Sequence, residues 1–115
     1  MTLYKPLTGR IVLAVTDPDV STTTINAVSL SARSRIVERG DVLAAPTNTG
    51  NVRIGCENIR GELTEARGEL LTAGERYTLP RTDLAWWFIT GDTAGDVVTW
   101  SAEQEVVSDG RPINS

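Results

Sequence analysis

Carboxylates are the side chains of this sequence with the most evident capacity for chemistry, and two of them, Asp92 and Asp96, flank small residues in the segment GDTAGD. Loop carboxylates are the ligands that calcium prefers. The segment lacks the regular oxygen spacing and the distal bidentate glutamate of a calcium loop, and aspartate and glycine are also favoured turn residues. We therefore predict a metal-free turn in which Gly91, Asp92, Gly95 and Asp96 have structural roles.

A second segment, TNTGNVRIG, has the composition of a glycine-rich ligand loop. A phosphate-binding loop normally leads into the N-terminus of a helix, whereas a strand pattern follows here. We therefore predict a β-hairpin that fixes strand register, with Asn48 and Gly50 at turn positions that tolerate positive φ.

Most common catalytic sites are excluded by the residue types that the chain lacks or has only once. The chain has no histidine, so it cannot form the usual serine or cysteine triad, a histidine-ligated zinc site or a histidine general base. Lys5 is the sole lysine and lies in a leading segment that we expect to be exposed, which disfavours a Schiff base or a P-loop. A pair of carboxylates like that of a glycosidase remains possible, but 15 acidic residues in a small domain will give close pairs by chance. We expect no catalytic residue, no cofactor and no small-molecule substrate.

Composition predicts one globular domain over residues 1–115. Its 40% hydrophobic and 23% charged residues are ordinary for a folded protein. A net charge of -4 provides no basic field for phosphates, so we expect no nucleic-acid partner. The apolar runs IVLAV and LAWWFI are far shorter than a membrane helix of roughly 20 residues, and the N-terminus lacks the apolar run of a signal peptide. We therefore expect no membrane partner and synthesis in a cytoplasm.

The elements that would position these residues have the pattern of short strands. RIVLAV is rich in β-branched residues and ends at the turn formers of TDPDVS. Apolar residues alternate with serine and arginine from Val28 to Arg33, which is the period of a half-buried strand. The alternation in NVRIGC places Val52, Ile54 and Cys56 on one face and predicts that the lone cysteine is a small core residue.

The second half of the chain shows the same pattern. Turns are expected at Gly40-Asp41 and Ala73-Gly74-Glu75, and LAWWFIT and DVVTWSAE are predicted strands joined by GDTAGD. ENIRGELTEARGELL contains two glycines, each costing about 1 kcal/mol in a helix interior, so we predict a loop with room for one helical turn. The ends, about 1–9 and 106–115, are predicted extended arms. Together these signals predict an all-β fold: one antiparallel, jelly-roll-like sandwich or barrel with little or no helix.

Four aromatic residues are interface candidates. Trp86 and Trp87 would face opposite sides of a strand, so at least one should lie in the core while the other packs at an edge, rim or interface. Phe88 would share a face with Trp86. Together with Trp100, the tryptophans could form a sugar-stacking platform, although a core position or subunit contact is the more common use of tryptophan.

The order of these segments resembles that of a known group of proteins. NTGNVRIG followed by LLTAGERYTLPRTDLAWWFITGDTAGDVVTW is similar to small tailed-bacteriophage proteins that share three features. These are an NTG-strand-glycine hairpin, an L-x-x-G-E-x-x-x-L turn and strand, and a D-L-x-x-x-x-x-x-G-D-x-A-G-D segment before an aromatic strand. The resemblance covers about half of the chain, and it is the order and spacing of the motifs that give it specificity. The chain departs from the group in its charged insertion ENIRGELTEARGE and in the Trp86-Trp87 pair.

The resemblance implies a small β-sandwich protein of the virion, either a capsid decoration (cement) protein on the phage head surface or another minor head component. Its partner would be the major capsid protein, and proteins of this kind are commonly homotrimers, in which repeated contacts add avidity without any catalytic group. Trp87 or Phe88 would be the interface anchor. Arg53 and Arg81 could pair with capsid carboxylates, although a solvated strand face is the default for such arginines.

Two other classes of function stay open at this stage. One is a receptor- or carbohydrate-binding module of a virion fibre or tail, which would require an exposed aromatic face. The other comprises an enzyme or a cellular β-sandwich binding domain. The predicted terminal arms would suit a protein whose ends become ordered on a neighbour.

Overall fold

The computed structural model describes residues 3–14, 27–56, 69–106 and 111–112. Within these ranges the chain forms ten β-strands and one 3-10 helix of three residues, Leu84–Trp86. The strands are β1 (Leu3–Val12), β2 (Val28–Ser29), β3 (Ile36–Val37), β4 (Arg39–Ala44), β5 (Val52–Cys56), β6 (Glu69–Leu71), β7 (Arg76–Leu79), β8 (Thr82–Asp83), β9 (Trp87–Gly91) and β10 (Val97–Val106). The predicted turn at TDPDVS and the predicted loop at ENIRGELTEARGELL, except its last three residues, lie outside the described residues.

Two four-stranded antiparallel sheets pack together, and the predicted all-β fold is confirmed. The first sheet has the strand order β1-β10-β4-β7, and the second has the order β2-β9-β5-β6. Strands β3 and β8 form a separate two-stranded ribbon.

The core lies between the sheets because alternate side chains of each strand point inward. In β10, burial alternates along the strand from Val98 to Val106. The first sheet contributes Val42, Ala44, Leu79, Val98, Trp100 and Ala102 to the core, and the second contributes Val52, Ile54, Leu71, Trp87 and Ile89. Removing this apolar surface from water, at about 25 cal/mol per Å², is the main force that holds the sheets together.

The connections cross between the sheets, which corrects the hairpin predicted around Asn48 and Gly50. Strand β4 pairs with β10 and β7, whereas β5 pairs with β6 and β9. The TNTG segment therefore leads from the first sheet to the second, and GDTAGD leads back from β9 to β10. The turn predicted at Ala73-Gly74-Glu75 is confirmed, with Gly74 at φ +85°, and it also joins strands of different sheets.

The predicted turn at Gly40-Asp41 is wrong, because both residues lie within β4. Gly40 is buried between β10 and β7. A Cβ at this position would lie 2.9 Å from the carbonyl oxygen of Ser101. Glycine at position 40 therefore permits close approach of the neighbouring strand and does not mark a chain reversal.

The predicted N-terminal arm is also wrong over residues 3–9, which belong to β1 and pair with β10 along their whole length. Backbone N–H and C=O groups of these residues, which would bond to water in a free arm, form hydrogen bonds with β10 instead. At the other end, Val106 closes β10 and forms an isolated bridge with Pro112. Residues 107–110 and 113–115 of the predicted C-terminal arm lie outside the described residues.

Three further predictions need correction. Only Val28–Ser29 of the strand predicted up to Arg33 is extended into a sheet. LAWWFIT begins with the 3-10 turn instead of a strand, because the side chain of Asp83 caps this turn. Cys56 is exposed and not a core residue, since β5 ends there although its alternation points inward.

Candidate functional site

The two segments with ligand-like composition contact each other. Residues 48–51 and 92–97, which we call the loop clamp, are joined by hydrogen bonds around Asp96. Its carboxylate accepts the backbone N–H groups of Thr49 at 3.0 Å and of Gly50 at 2.8 Å. The Asn48 side chain donates to the Val97 carbonyl oxygen at 2.9 Å and accepts from the Val97 amide at 2.7 Å. The clamp thus ties together two of the sheet-to-sheet connections, the one from β4 to β5 and the one from β9 to β10.

In this geometry the anion that the glycine-rich segment binds is a carboxylate of the same chain, that of Asp96. Asp96 is only 6% exposed, and each of its carboxylate oxygens already accepts an amide. Asp92 accepts the Asn51 amide at 3.3 Å and donates its own amide to the Asn51 carbonyl at 3.1 Å. Within the described ranges no group of three or more metal-ligating side chains occurs. The carboxylates therefore act as acceptors for backbone amides.

The glycines of the clamp have two different roles. Gly95 has φ +92°, a conformation that favours glycine. Gly50 lies outside the left-handed region, so the predicted positive φ at this position is wrong. A Cβ on Gly50 would lie 2.4 Å from Thr93 Oγ1 and 3.2 Å from Asp96 Oδ2, so glycine permits the close approach that the clamp requires. Gly91 is similarly crowded, with Leu13 Cδ1 at 2.5 Å from the position of a Cβ.

Three of the four aromatic interface candidates are buried. Trp87, Phe88 and Trp100 are 9%, 9% and 7% exposed. Trp87 donates its indole N–H to Thr82 Oγ1 at 3.0 Å and packs against Tyr77 with ring centroids 5.8 Å apart. The structure thus places Trp87 and Phe88, the predicted interface anchors, in the interior, and the three tryptophans do not share one exposed face. Their burial instead supplies apolar area to the fold.

Trp86 is the exposed member of the pair, with 55% of its surface accessible, so the prediction that the two tryptophans divide between core and surface is confirmed. The backbone of its turn is held in place by contacts of the preceding residue, Ala85. Asp83 Oδ1 accepts the Ala85 amide at 2.9 Å, and the Ser29 hydroxyl, which donates chiefly to the Ser31 carbonyl, lies 3.2 Å from the Ala85 carbonyl oxygen. An exposed aromatic ring on a fixed turn loses little entropy when it packs against a partner.

Asp83 links this turn to a second loop. The carboxylate also accepts the Arg35 amide at 3.0 Å and a hydrogen bond from the Ser34 hydroxyl, and the residue is 5% exposed. Burial raises the pKa of Asp83, but the hydrogen bonds from Ser34 Oγ and from the Ala85 and Arg35 amides lower it, and the balance holds this pKa below its ordinary value. One buried carboxylate thus positions both the Trp86 turn and residues 34–35.

The two arginine candidates have ordinary surface positions. Arg53 is half-buried in β5, opposite Thr90 and Leu70. Arg81 is exposed and forms an ion pair with Glu38 at 3.2 Å. Exposed ion pairs contribute little, about 0–1 kcal/mol, so this pair does not mark a site.

The structure also brings together residues that sequence reasoning did not select. A depression of about 280 Å³, which we call the basic pocket, is lined by Lys5, Leu7, Arg33, Ser34, Arg35 and Gln104. Lys5 comes from β1, whereas Arg33 and Arg35 come from the loop before β3. The sequence signal was the Arg-Ser-Arg run at residues 33–35, but nothing local places it beside a lysine some thirty residues earlier.

In the part of the chain that the structure describes, no helix has the length and apolarity of a membrane span. No protein-family model matches the sequence, and a search of curated proteins found no significant match.

Proposed function

We propose that the protein is a structural component of a tailed-phage virion, and that it decorates the head by binding the outer surface of the major capsid protein. The role is non-enzymatic, and the working form is a homotrimer at a symmetry axis. The proposal is supported by the motif order and by the all-β sandwich, an architecture that presents large surfaces for association.

The loop clamp is the observation that carries the proposal. The resemblance joins an NTG motif to a distant G-D-x-A-G-D motif, and residues of these two motifs bond to each other. Asp96 of the second motif accepts the amides of Thr49 and Gly50 in the first, and Asn48 bonds to Val97. Independent turn sequences have no reason to be complementary in this way. In this chain the two motifs therefore form one structural unit, which supports treating them as a single feature of the resemblance.

Trp86 is the surface residue that best suits attachment to a capsid. Interface energy concentrates in a few aromatic and arginine residues that pack against a partner. Among large apolar side chains of the described ranges, the most exposed are Trp86 (55%), Tyr4 (51%), Val12 (47%) and Leu70 (41%). Trp86 combines the largest exposure with a turn fixed by Asp83 and Ser29.

Co-sedimentation with undecorated phage capsids tests the proposal. We expect saturable binding at a ratio that matches icosahedral positions. Trp86→Ala should weaken this binding at least about tenfold, as for an interface anchor, while changing the free energy of unfolding by less than about 0.5 kcal/mol. Tyr4→Ala is the matched control, since it removes another exposed aromatic ring.

Failure of the wild-type protein to bind capsids would contradict the decoration role. The exposed indole of Trp86 would then favour the alternative of a carbohydrate-binding module in a fibre or tail, because an exposed tryptophan can stack on a sugar ring. Sedimentation at micromolar concentration tests the trimer separately. A monomer under those conditions would rule out a preformed trimer and leave assembly on the capsid to be measured.

A further inference from the structure

The basic pocket concentrates positive charge on an acidic protein. The chain has 11 basic and 15 acidic residues, with a net charge of -4. Three of the basic residues, Lys5, Arg33 and Arg35, nevertheless line one depression of about 280 Å³. Among the described residues, no aspartate or glutamate lines it. Such a local reversal of charge has a cost in self-repulsion and is typical of a surface that receives an anion.

Among the residues that the structure describes, the cations of the pocket have no acidic partner. Elsewhere, Arg39 pairs with Glu103 at 3.0 Å and Arg81 pairs with Glu38 at 3.2 Å. Across the described residues, Lys5, Arg33 and Arg35 form no such ion pair. The carboxylate of Asp83, which bonds to this loop, is buried and engaged by the amides of Arg35 and Ala85. The pocket therefore retains a positive excess that an external group can neutralise.

A chain of serine hydrogen bonds fixes the loop that carries the arginines. Ser29 Oγ donates to the Ser31 carbonyl at 2.6 Å, and Ser31 Oγ donates to the Arg33 carbonyl at 2.7 Å. Ser34 Oγ and the Arg35 amide then bond to the Asp83 carboxylate. The backbone is thus positioned before any ligand arrives, which reduces the entropy lost on binding.

We propose that the basic pocket is a docking site for carboxylate side chains in an acidic segment of a partner protein. Arginine binds carboxylates through paired N–H donors, and lysine adds a mobile point charge. A nucleic acid is a poorer fit, because a phosphate backbone is bound by an extended basic stripe on a basic domain, and this cluster is compact on an acidic one.

Fluorescence anisotropy of a labelled hexaglutamate peptide with the purified 115-residue protein tests this proposal without any capsid. A hexaglutamine peptide is the neutral control. We expect saturable binding of hexaglutamate only, and weaker binding as salt rises from 0.1 to 1 M, where the Debye length falls from about 10 to about 3 Å.

Charge-neutral variants locate the site. Lys5→Gln with Arg33→Gln should weaken hexaglutamate binding at least about tenfold, because two charged contacts are lost from exposed positions. Arg10→Gln with Arg76→Gln is the matched control, since it removes the same charge from exposed positions on β1 and β7 outside the pocket. Its binding should change less than about twofold.

Three results would overturn the proposal. Equal binding of hexaglutamate and hexaglutamine would show that charge is not recognised. An equal loss in the two double variants would show that only overall charge matters. Tighter binding of a labelled single-stranded oligonucleotide than of hexaglutamate, lost on changing Lys5 and Arg33, would assign the pocket to phosphates instead.

Discussion

Replacing Asp96 tests whether the GDTAGD segment serves the fold or a ligand. In Asp96→Ala, the amides of Thr49 and Gly50 lose acceptors at 3.0 and 2.8 Å. A hydrogen bond to a charged group contributes about 1.5–3 kcal/mol, and both bonds are partly buried, so we expect a loss of about 2–4 kcal/mol in the free energy of unfolding. Asp96→Asn keeps one acceptor oxygen without the charge and should lose about half as much.

Urea unfolding followed by tryptophan fluorescence measures this loss, because Trp87 and Trp100 are buried in the native core. For a domain of this size, about 3 kcal/mol corresponds to a fall of roughly 10 °C in Tm. Asp92→Asn is the matched control, since Asp92 is exposed and accepts only one amide, at 3.3 Å. It should change the free energy of unfolding by less than about 0.5 kcal/mol.

Adding calcium distinguishes a structural role of the GDTAGD segment from a role in binding a metal ion. If Asp92 and Asp96 only accept amides, the Tm of the wild-type protein is the same with calcium and with a chelator. A rise in Tm on addition of calcium that disappears in both variants would refute the structural role. So would equal destabilisation by the Asp92 and Asp96 substitutions in the absence of metal.

Three further outcomes follow from the packing. The pKa of Asp83 is lower in the folded state, so the stability that its carboxylate contributes is complete above the unfolded pKa of about 3.9 and is lost as the pH falls through the folded pKa. Urea unfolding at several pH values should therefore show a smaller loss of stability in acid for Asp83→Asn than for the wild-type protein. Gly9→Ala places a Cβ 2.2 Å from the Trp100 indole and should cost more than about 1 kcal/mol in urea unfolding. Iodide should quench Trp86 fluorescence and leave that of Trp87 and Trp100 protected; full protection would contradict the exposed indole.

Local pattern was sufficient for the fold class and insufficient for the connections. The alternation in β10 and the turn at Gly74 depend on neighbours in sequence, so both could be predicted. The segment at Asn48 and Gly50 was predicted as a hairpin because turn residues indicate a chain reversal but not which sheet the next strand joins. That choice depends on contacts with GDTAGD, far along the chain.

The run VSLSAR shows how one pattern can have two causes. Its alternation has the period of a strand, yet only Val28–Ser29 pairs in a sheet. The serines recur every second residue because Ser29 and Ser31 each bond to the carbonyl two residues ahead, a local motif that competes with strand pairing. The basic pocket was missed for this reason, since a strand would have placed Arg33 on a solvated sheet face.

The pairing of β1 with β10 has a consequence for synthesis on the ribosome. Leu3 pairs with Val106, so β1 cannot complete its pairing until β10 has been made, about 100 residues later. At roughly 5–20 residues per second, that delay is on the order of 5–20 s, during which the edge of β4 that β10 will cover is also open. The nascent chain therefore exposes unpaired strand edges of β1 and β4 until β10 has been synthesised. Such edges are sites at which chains associate wrongly, so chaperone binding and the spacing of ribosomes on one message should affect the yield of folded protein.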